Sequence, residues 1–364
     1  MTEIVHSTFQ VHKRNFQDTK WVENRIELKE GQILLRIDRF SFTANNITYA
    51  LLGESFRYWN FFPGEVDFGI IPVWGFATIL ESNHEALKVG ERFYGYYPTA
   101  THAILAPGKV RTSGFSDISP HRKDLSAVYN FYSNVNFDSI YSPDTENFQA
   151  VFRPLFSTSF LLEDFLFDHQ NFGTKQIVIT SASSKTALAL AFLLKERKKE
   201  AMFNIEVIGI TSSKNIDFVK GSQYFDDVKD YDSAASLSSI DTVIIDFAGN
   251  KELLSKLKQS LNDKIKYICL VGLSQWDQVT KEEEDSGGKT FFAPAQMKKR
   301  SREWGIEKLQ AELNRKFHLF LPDANKWIHF NQFDFLKQFQ SCYIDTLKGN
   351  TEPENGNIIT NIKK

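Results

Sequence analysis

Three observations predict a two-part α/β protein, with a β-rich first half and a parallel sheet of alternating strands and helices in the second. Residues 1–150 carry short apolar alternations punctuated by Pro63, Pro72, Pro98 and Pro107. After about residue 153 the pattern becomes short β-branched runs separated by helical or polar segments, the signature of βαβ units. The length, 364 residues and 41.9 kDa, is comfortable for two domains and long for one core.

In the first half, Gly31-Gln-Ile-Leu-Leu-Arg-Ile-Asp puts Ile33, Leu35 and Ile37 on one face and Arg36 and Asp38 on the other, as a half-buried strand does. A second β block runs over 73–79, and a turn and strand over 87–95. The polar stretch 112–150 reads as a surface excursion with some helix. In the second half, residues 154–167 read as an apolar helix. Strands are expected at 176–180, 205–210, 242–246 and 267–271. The run 187–194 is apolar nearly all round, as in a helix buried against a sheet. Residues 282–285 followed by Gly287-Gly288 look like a flexible loop, a basic helix surrounds 298–302, and a turn and closing strand end the chain.

Lys and Arg total 43 against 45 Asp and Glu, a formal net charge of −2. That balance argues against a general nucleic-acid binder. Cys269 and Cys342, the two cysteines, cannot build a disulfide framework or a cysteine zinc cluster. The start lacks an apolar signal core, and no window approaches the roughly eighteen apolar residues of a membrane span. The expectation is a reduced, cytoplasmic, soluble protein. The 33 phenylalanines are expected mainly to fill the core.

The segment 176–194 carries the chemistry. A strand, a short turn of small residues and a buried helix form the phosphate-binding start of a dinucleotide fold, where the helix N-terminus and backbone N–H groups face a pyrophosphate. The usual glycines are absent: the turn reads Ser181, Ala182, Ser183, Ser184, Lys185, Thr186. The hydroxyls of Ser183, Ser184 and Thr186 can donate to phosphate, and Lys185 adds a positive charge. The same serines equally suit a plain helix N-cap. An NAD site would place an acid at the end of the second strand. Here that strand runs into Thr211, Ser212, Ser213 and Lys214, which suit a 2′-phosphate and favour NADP(H). The eight histidines are scattered, with His84, His102 and His121 read as surface or satisfied groups, so no metal is expected. No G-x-S-x-G elbow is present.

The order of these pieces resembles the medium-chain dehydrogenase/reductase superfamily, in its zinc-free, quinone-oxidoreductase-like branch. The resemblance rests on GQILLRIDRFSFTANNITYALLG (31–53), PVWGFATILESNHEALKVGERFYG (72–95), TKQIVITSASSKTALALAFLLK (174–195), IDTVIIDFAGN (240–250), IKYICLVG (265–272) and the closing strand at 353–359. Glu91 stands where the family has Asp, and Asn357 replaces a lysine. The strings NNITYA, YWNFFP, RPLFSTSF, SASSKT and FFAPAQ look closer to an uncharacterised domain-of-unknown-function family at its edge. The resemblance implies a GroES-like β domain from residues 1–151 completed by 286–364, and a Rossmann domain, a doubly wound parallel sheet, over 152–285. It also implies an active site in the cleft between them and, as in many relatives, a homodimer.

By the same resemblance Tyr49 would hydrogen-bond the substrate oxygen, with Asn45 and Asn46 as neutral donors beside it. Thr158, Phe247, Ala248, Gly249 and Gly272 match segments that line the cofactor cleft. Two functional readings follow. One is an NADPH-dependent, zinc-independent reductase of a quinone, enone or other small carbonyl compound. The other is a nucleotide-binding regulator or pseudoenzyme, to which the glycine-poor turn points. A different phosphorylated ligand on Ser183 and Lys185 is a third.

Overall fold

The alternation of Ile33, Leu35 and Ile37 becomes the strand Ile33–Ser41, its three apolar side chains fully buried in the core of the first unit. The computed structural model describes residues 5–201, 204–271 and 287–361. The chain divides into two units, Met1–Val151 with Ile328–Lys364, and Phe152–Trp327.

The first unit holds a three-stranded sheet and a nine-stranded one. In the larger sheet Ile33–Ser41 pairs antiparallel with Pro72–Ser82 and with Asn355–Thr360. The last of these strands also runs parallel to His329–Asp334, so the tail of the chain is built into this sheet. The helix Phe335–Leu347 lays Phe335, Phe339 and Tyr343 against Phe9, Phe40 and Phe42, with ring centroids 5.0 to 5.8 Å apart. Edge-on aromatic packing of this kind is how so many phenylalanines fill a core. The polar face of Ile33–Ser41 is not open to water. Asp38 is fully buried and takes hydrogen bonds from Arg36, Thr78 and Arg92, and Arg92 also binds Glu146 at 2.8 Å.

In the second unit six parallel strands lie in the order Asp227–Asp230, Glu206–Thr211, Gln176–Ile179, Thr242–Asp246, Ile265–Leu270 and Lys289–Thr290. The first strand in sequence sits in the middle and the chain winds outward on both sides. The order therefore reverses between Gln176–Ile179 and Thr242–Asp246, where α/β sheets bind ligands. The helix Lys185–Ala201 buries residues 187–194 entirely.

Two expectations are corrected. The apolar helix begins at Glu146, not near 154, and runs to Asp168 through Pro154. The return to the first unit falls at Ile328, not at 286. Helix Ile306–Ala324 keeps residues before that point in the second unit, because Phe317 and Phe320 stack on Phe156 and Phe192 at 5.2 Å. Gly272 and the acidic loop 282–285 lie outside the described residues.

Candidate active site

Two groups of side chains, one in each unit, carry the chemistry. In the first, helix Ala44–Leu51 spaces Asn45 and Tyr49 one turn apart. The Asn45 side chain lies near the buried Tyr49 hydroxyl. The Trp74 indole N–H donates to the Tyr49 oxygen at 3.3 Å. Burial, and the Tyr129 phenol beside it, push the Tyr49 hydroxyl well above its ordinary pKa. It is therefore a protonated donor at neutral pH, with its oxygen already supplied.

Asn46 is different. Its Oδ1 accepts from the Thr43 N–H at 2.8 Å and its Nδ2 donates to the Pro72 carbonyl at 3.0 Å. Both ends of the amide are engaged and the residue is buried, so Asn46 fastens the helix start instead of facing a substrate.

Sequence reasoning missed the rings around Tyr49. Tyr58 and Tyr96 lie 4.7 and 5.6 Å from it between centroids, and Tyr129 lies 4.7 Å from Tyr96 and 5.9 Å from Trp74. The Tyr58 and Tyr129 hydroxyls bond each other at 3.1 Å. The Tyr96 hydroxyl, fully buried, has no hydrogen-bond partner among the described residues. The pair at 94 and 96 and the string around Tyr58 were visible in the sequence, but only the fold brings them to Tyr49.

In the second unit the turn after Gln176–Ile179 carries Ser181 at φ +49°, a left-handed conformation usually taken by glycine. The Ala182 methyl is buried with Val219 and Val228. It lies where a Cβ on Gly209 would meet it at 2.9 Å, so the turn keeps its side chain inward and its backbone at the strand end. The Ser183 hydroxyl accepts from Thr211 and from the Asn215 amide at 3.2 and 3.0 Å. Ser184 caps the helix, its Oγ accepting from the Ala187 N–H at 3.3 Å. Lys185 opens the helix and is half-buried, Ser212 is half-buried, and Ser213 and Lys214 are exposed. The Thr186 carbonyl accepts from Ser159, a buried hydroxyl the sequence did not single out. Thr158 donates to the Pro154 carbonyl in its own helix at 3.3 Å.

Across the point of reversal, the Thr180 hydroxyl donates to Asp246 at 2.5 Å. The N–H groups of Phe247, Ala248 and Gly249 turn onto Thr180 and Asp246 at 3.0 to 3.3 Å. Gly249 takes φ +60° to allow it. This loop is thus braced internally. Tyr231 lies near Ser181 at the end of the outer strand. A hollow of about 630 Å³ in this unit, lined by Asp164, Asn171, Arg197, Arg300 and others, belongs elsewhere: Asn171 precedes the amino end of Gln176–Ile179. Among the described residues no three His, Cys, Asp or Glu side chains are grouped to hold a metal ion, and no helix is long and apolar enough to cross a membrane.

The chain thus joins a β unit to a parallel α/β unit of Rossmann type. Residues 40–352 match the family model described as protein of unknown function (DUF2855), and the chain belongs to that family. No curated protein matches it in sequence. Among solved structures it is similar to CurA from Vibrio vulnificus in complex with NADPH, at 15% identity and a TM-score of 0.59, over 98% of this chain and 100% of that one. It is also similar to the quinone oxidoreductase from Coxiella burnetii, at 13% and 0.55, over 99% and 100%. The Etr1p complex with NADP and crotonyl-CoA matches at 9% and 0.54, over 98% and 100%.

Proposed function

We propose that the chain is an NADPH-dependent, zinc-independent oxidoreductase that reduces a quinone, enone or other conjugated carbonyl compound. The observation that carries this reading is Tyr49. It is a buried, protonated hydroxyl whose oxygen already accepts from Trp74, which leaves its own proton for a substrate oxygen. Its ring lies among Tyr58, Tyr96, Tyr129 and Trp74, surroundings suited to a flat conjugated molecule. The NADPH complex of CurA and the NADP complex of Etr1p support the cofactor.

The residues present fit a dinucleotide. The turn 181–186 and the start of a 17-residue helix stand at the reversal point of the sheet, with the Ala182 methyl turned into the core, so the backbone can approach a pyrophosphate. Ser181, Ser183, Ser184, Lys185 and Thr186 would hold the phosphates, Ser212, Ser213 and Lys214 the adenosine end, and Thr158 and 247–249 the remaining wall. The hydride for the substrate carbon would come from NADPH held in this way. Tyr49 would donate its hydrogen bond to the carbonyl oxygen as negative charge develops there, and a proton from water would then complete the reduction at oxygen or at the α-carbon. Asn45 holds the Tyr49 ring and hydroxyl in place.

A second reading, a nucleotide-binding regulator, is favoured by the glycine-free turn 181–186 and the internally braced loop 247–249. The discriminating experiment measures NADPH and NADH binding by tryptophan fluorescence, then turnover on a panel of quinones and enones. We expect micromolar NADPH binding, and a loss of turnover of about 10²-fold in Tyr49→Phe with nucleotide affinity unchanged. NADPH binding without any turnover favours the regulator. Failure of both nucleotides to bind at millimolar concentration removes the reductase reading.

A further inference from the structure

The second strand of the parallel sheet ends without an acid, yet a carboxylate stands beside that end. Glu206–Thr211 pairs with Asp227–Asp230 so that Thr211 lies opposite Asp230. The Asp230 carboxylate accepts from the Ser233 N–H at 2.7 Å and lies near Ser213, two residues beyond the strand end. The next residue, Tyr231, lies near Ser181 of the phosphate turn, and Thr211 itself donates to Ser183 of that turn at 3.2 Å. The outer strand therefore reaches the same corner as the turn and the second strand, from a position 19 residues further along the chain.

We propose that Asp230 sets the dinucleotide preference of this unit, by standing where the second strand of an NAD-binding sheet would supply its acid. The inference rests on the dinucleotide reading above. An acid at this corner hydrogen-bonds the adenosine ribose hydroxyls of NADH and repels the 2′-phosphate of NADPH. Lys214, exposed on the adjoining turn, attracts the same phosphate. Asp230 and Lys214 thus act in opposition, and the pair holds the preference for NADPH to a modest one. Ser233, with Ser213 nearby, holds the carboxyl below its usual range, so it is ionised wherever the nucleotide would be bound.

The experiment is calorimetric titration of the full-length protein with NADPH and NADH, in Asp230→Asn, Asp230→Ser and Lys214→Ala, at low and high salt. Both Asp230 variants keep a group able to accept from Ser233, and a thermal melt beside each titration checks the fold. We expect the wild type to bind the two nucleotides within about tenfold of each other. Loss of the carboxylate should tighten NADPH by about tenfold and leave NADH unchanged or weaker. Lys214→Ala should move the ratio the other way, and both changes should shrink at high salt, as exposed charge effects do. If NADPH binds the wild type but neither Asp230 variant alters the ratio, the role of Asp230 is wrong and the cofactor reading stands. If neither nucleotide binds any of the proteins, both readings fall together.

Discussion

At the scale of single residues, the decisive feature is which polar groups are already satisfied. Asn45 and Asn46 are neighbours of the same type, yet Asn45 lies near the Tyr49 hydroxyl while Asn46 is bonded to Thr43 and Pro72. Composition cannot separate them, because the partner at Pro72 comes from a strand 26 residues away. His102 gives a prediction of the same kind. Burial, with His6 and Arg36 nearby, lowers its pKa to about 4, so in the folded protein it stays neutral where an unfolded chain would protonate it. Its contribution to stability is fully present above about pH 6.5 and is lost as the pH falls toward about 4. Denaturant midpoints measured across that window should decline in the wild type and decline less in His102→Gln.

At the scale of elements, the strand–turn–helix at 176–194 was legible from residue types alone, since four buried β-branched or amide residues precede the turn and an all-apolar helix follows. The strand Asp227–Asp230 was not. It is an edge strand with Val228 as its one buried residue, and a run with so little apolar content carries no periodicity to read. Its pairing comes from the neighbouring strand, so Asp230 could be found only after the sheet was assembled. The buried Asp38 was masked for the opposite reason: alternation marks a strand's second face as polar but not as covered. The close fit between Gly209 and the turn makes an element-level test. In Gly209→Ala the new methyl meets Ala182 and Phe225 near 3 Å, and overpacking of this kind costs about 1–3 kcal/mol. Chemical denaturation should show that loss, and nucleotide affinity should fall with it because the displaced residue belongs to the phosphate turn.

At the scale of the whole molecule, the division into a β part and an α/β part followed from the change of period near residue 153. The point where the chain rejoins the first unit did not, because the helices before it are amphipathic and would suit either partner. What assigns them to the second unit is the contact of Phe317 and Phe320 with Phe156 and Phe192, a match of surfaces that no local pattern encodes. The tail beyond Ile328 makes the first unit discontinuous in sequence. Removing residues 353–364 should therefore damage the unit formed by the start of the chain. We expect the truncated protein to lose the first unit's cooperative melting transition and to aggregate, while the second unit keeps its own.

That discontinuity also sets a schedule for biosynthesis. As the chain emerges, the strand Ile33–Ser41 is complete early and His102–Leu105 soon pairs with its first half, but on that flank residues 39–41 stay unpaired until Ile358 and Ile359 have been made. At about 5–20 residues per second, translation takes on the order of a quarter to one minute to cross that gap. Throughout it the nascent first unit exposes an unpaired strand end of the kind that attracts other strands, while every residue of the Rossmann unit is synthesised and free to fold. The first unit to begin is the last to finish, and the interval between is when the ribosome-bound chain most needs a chaperone.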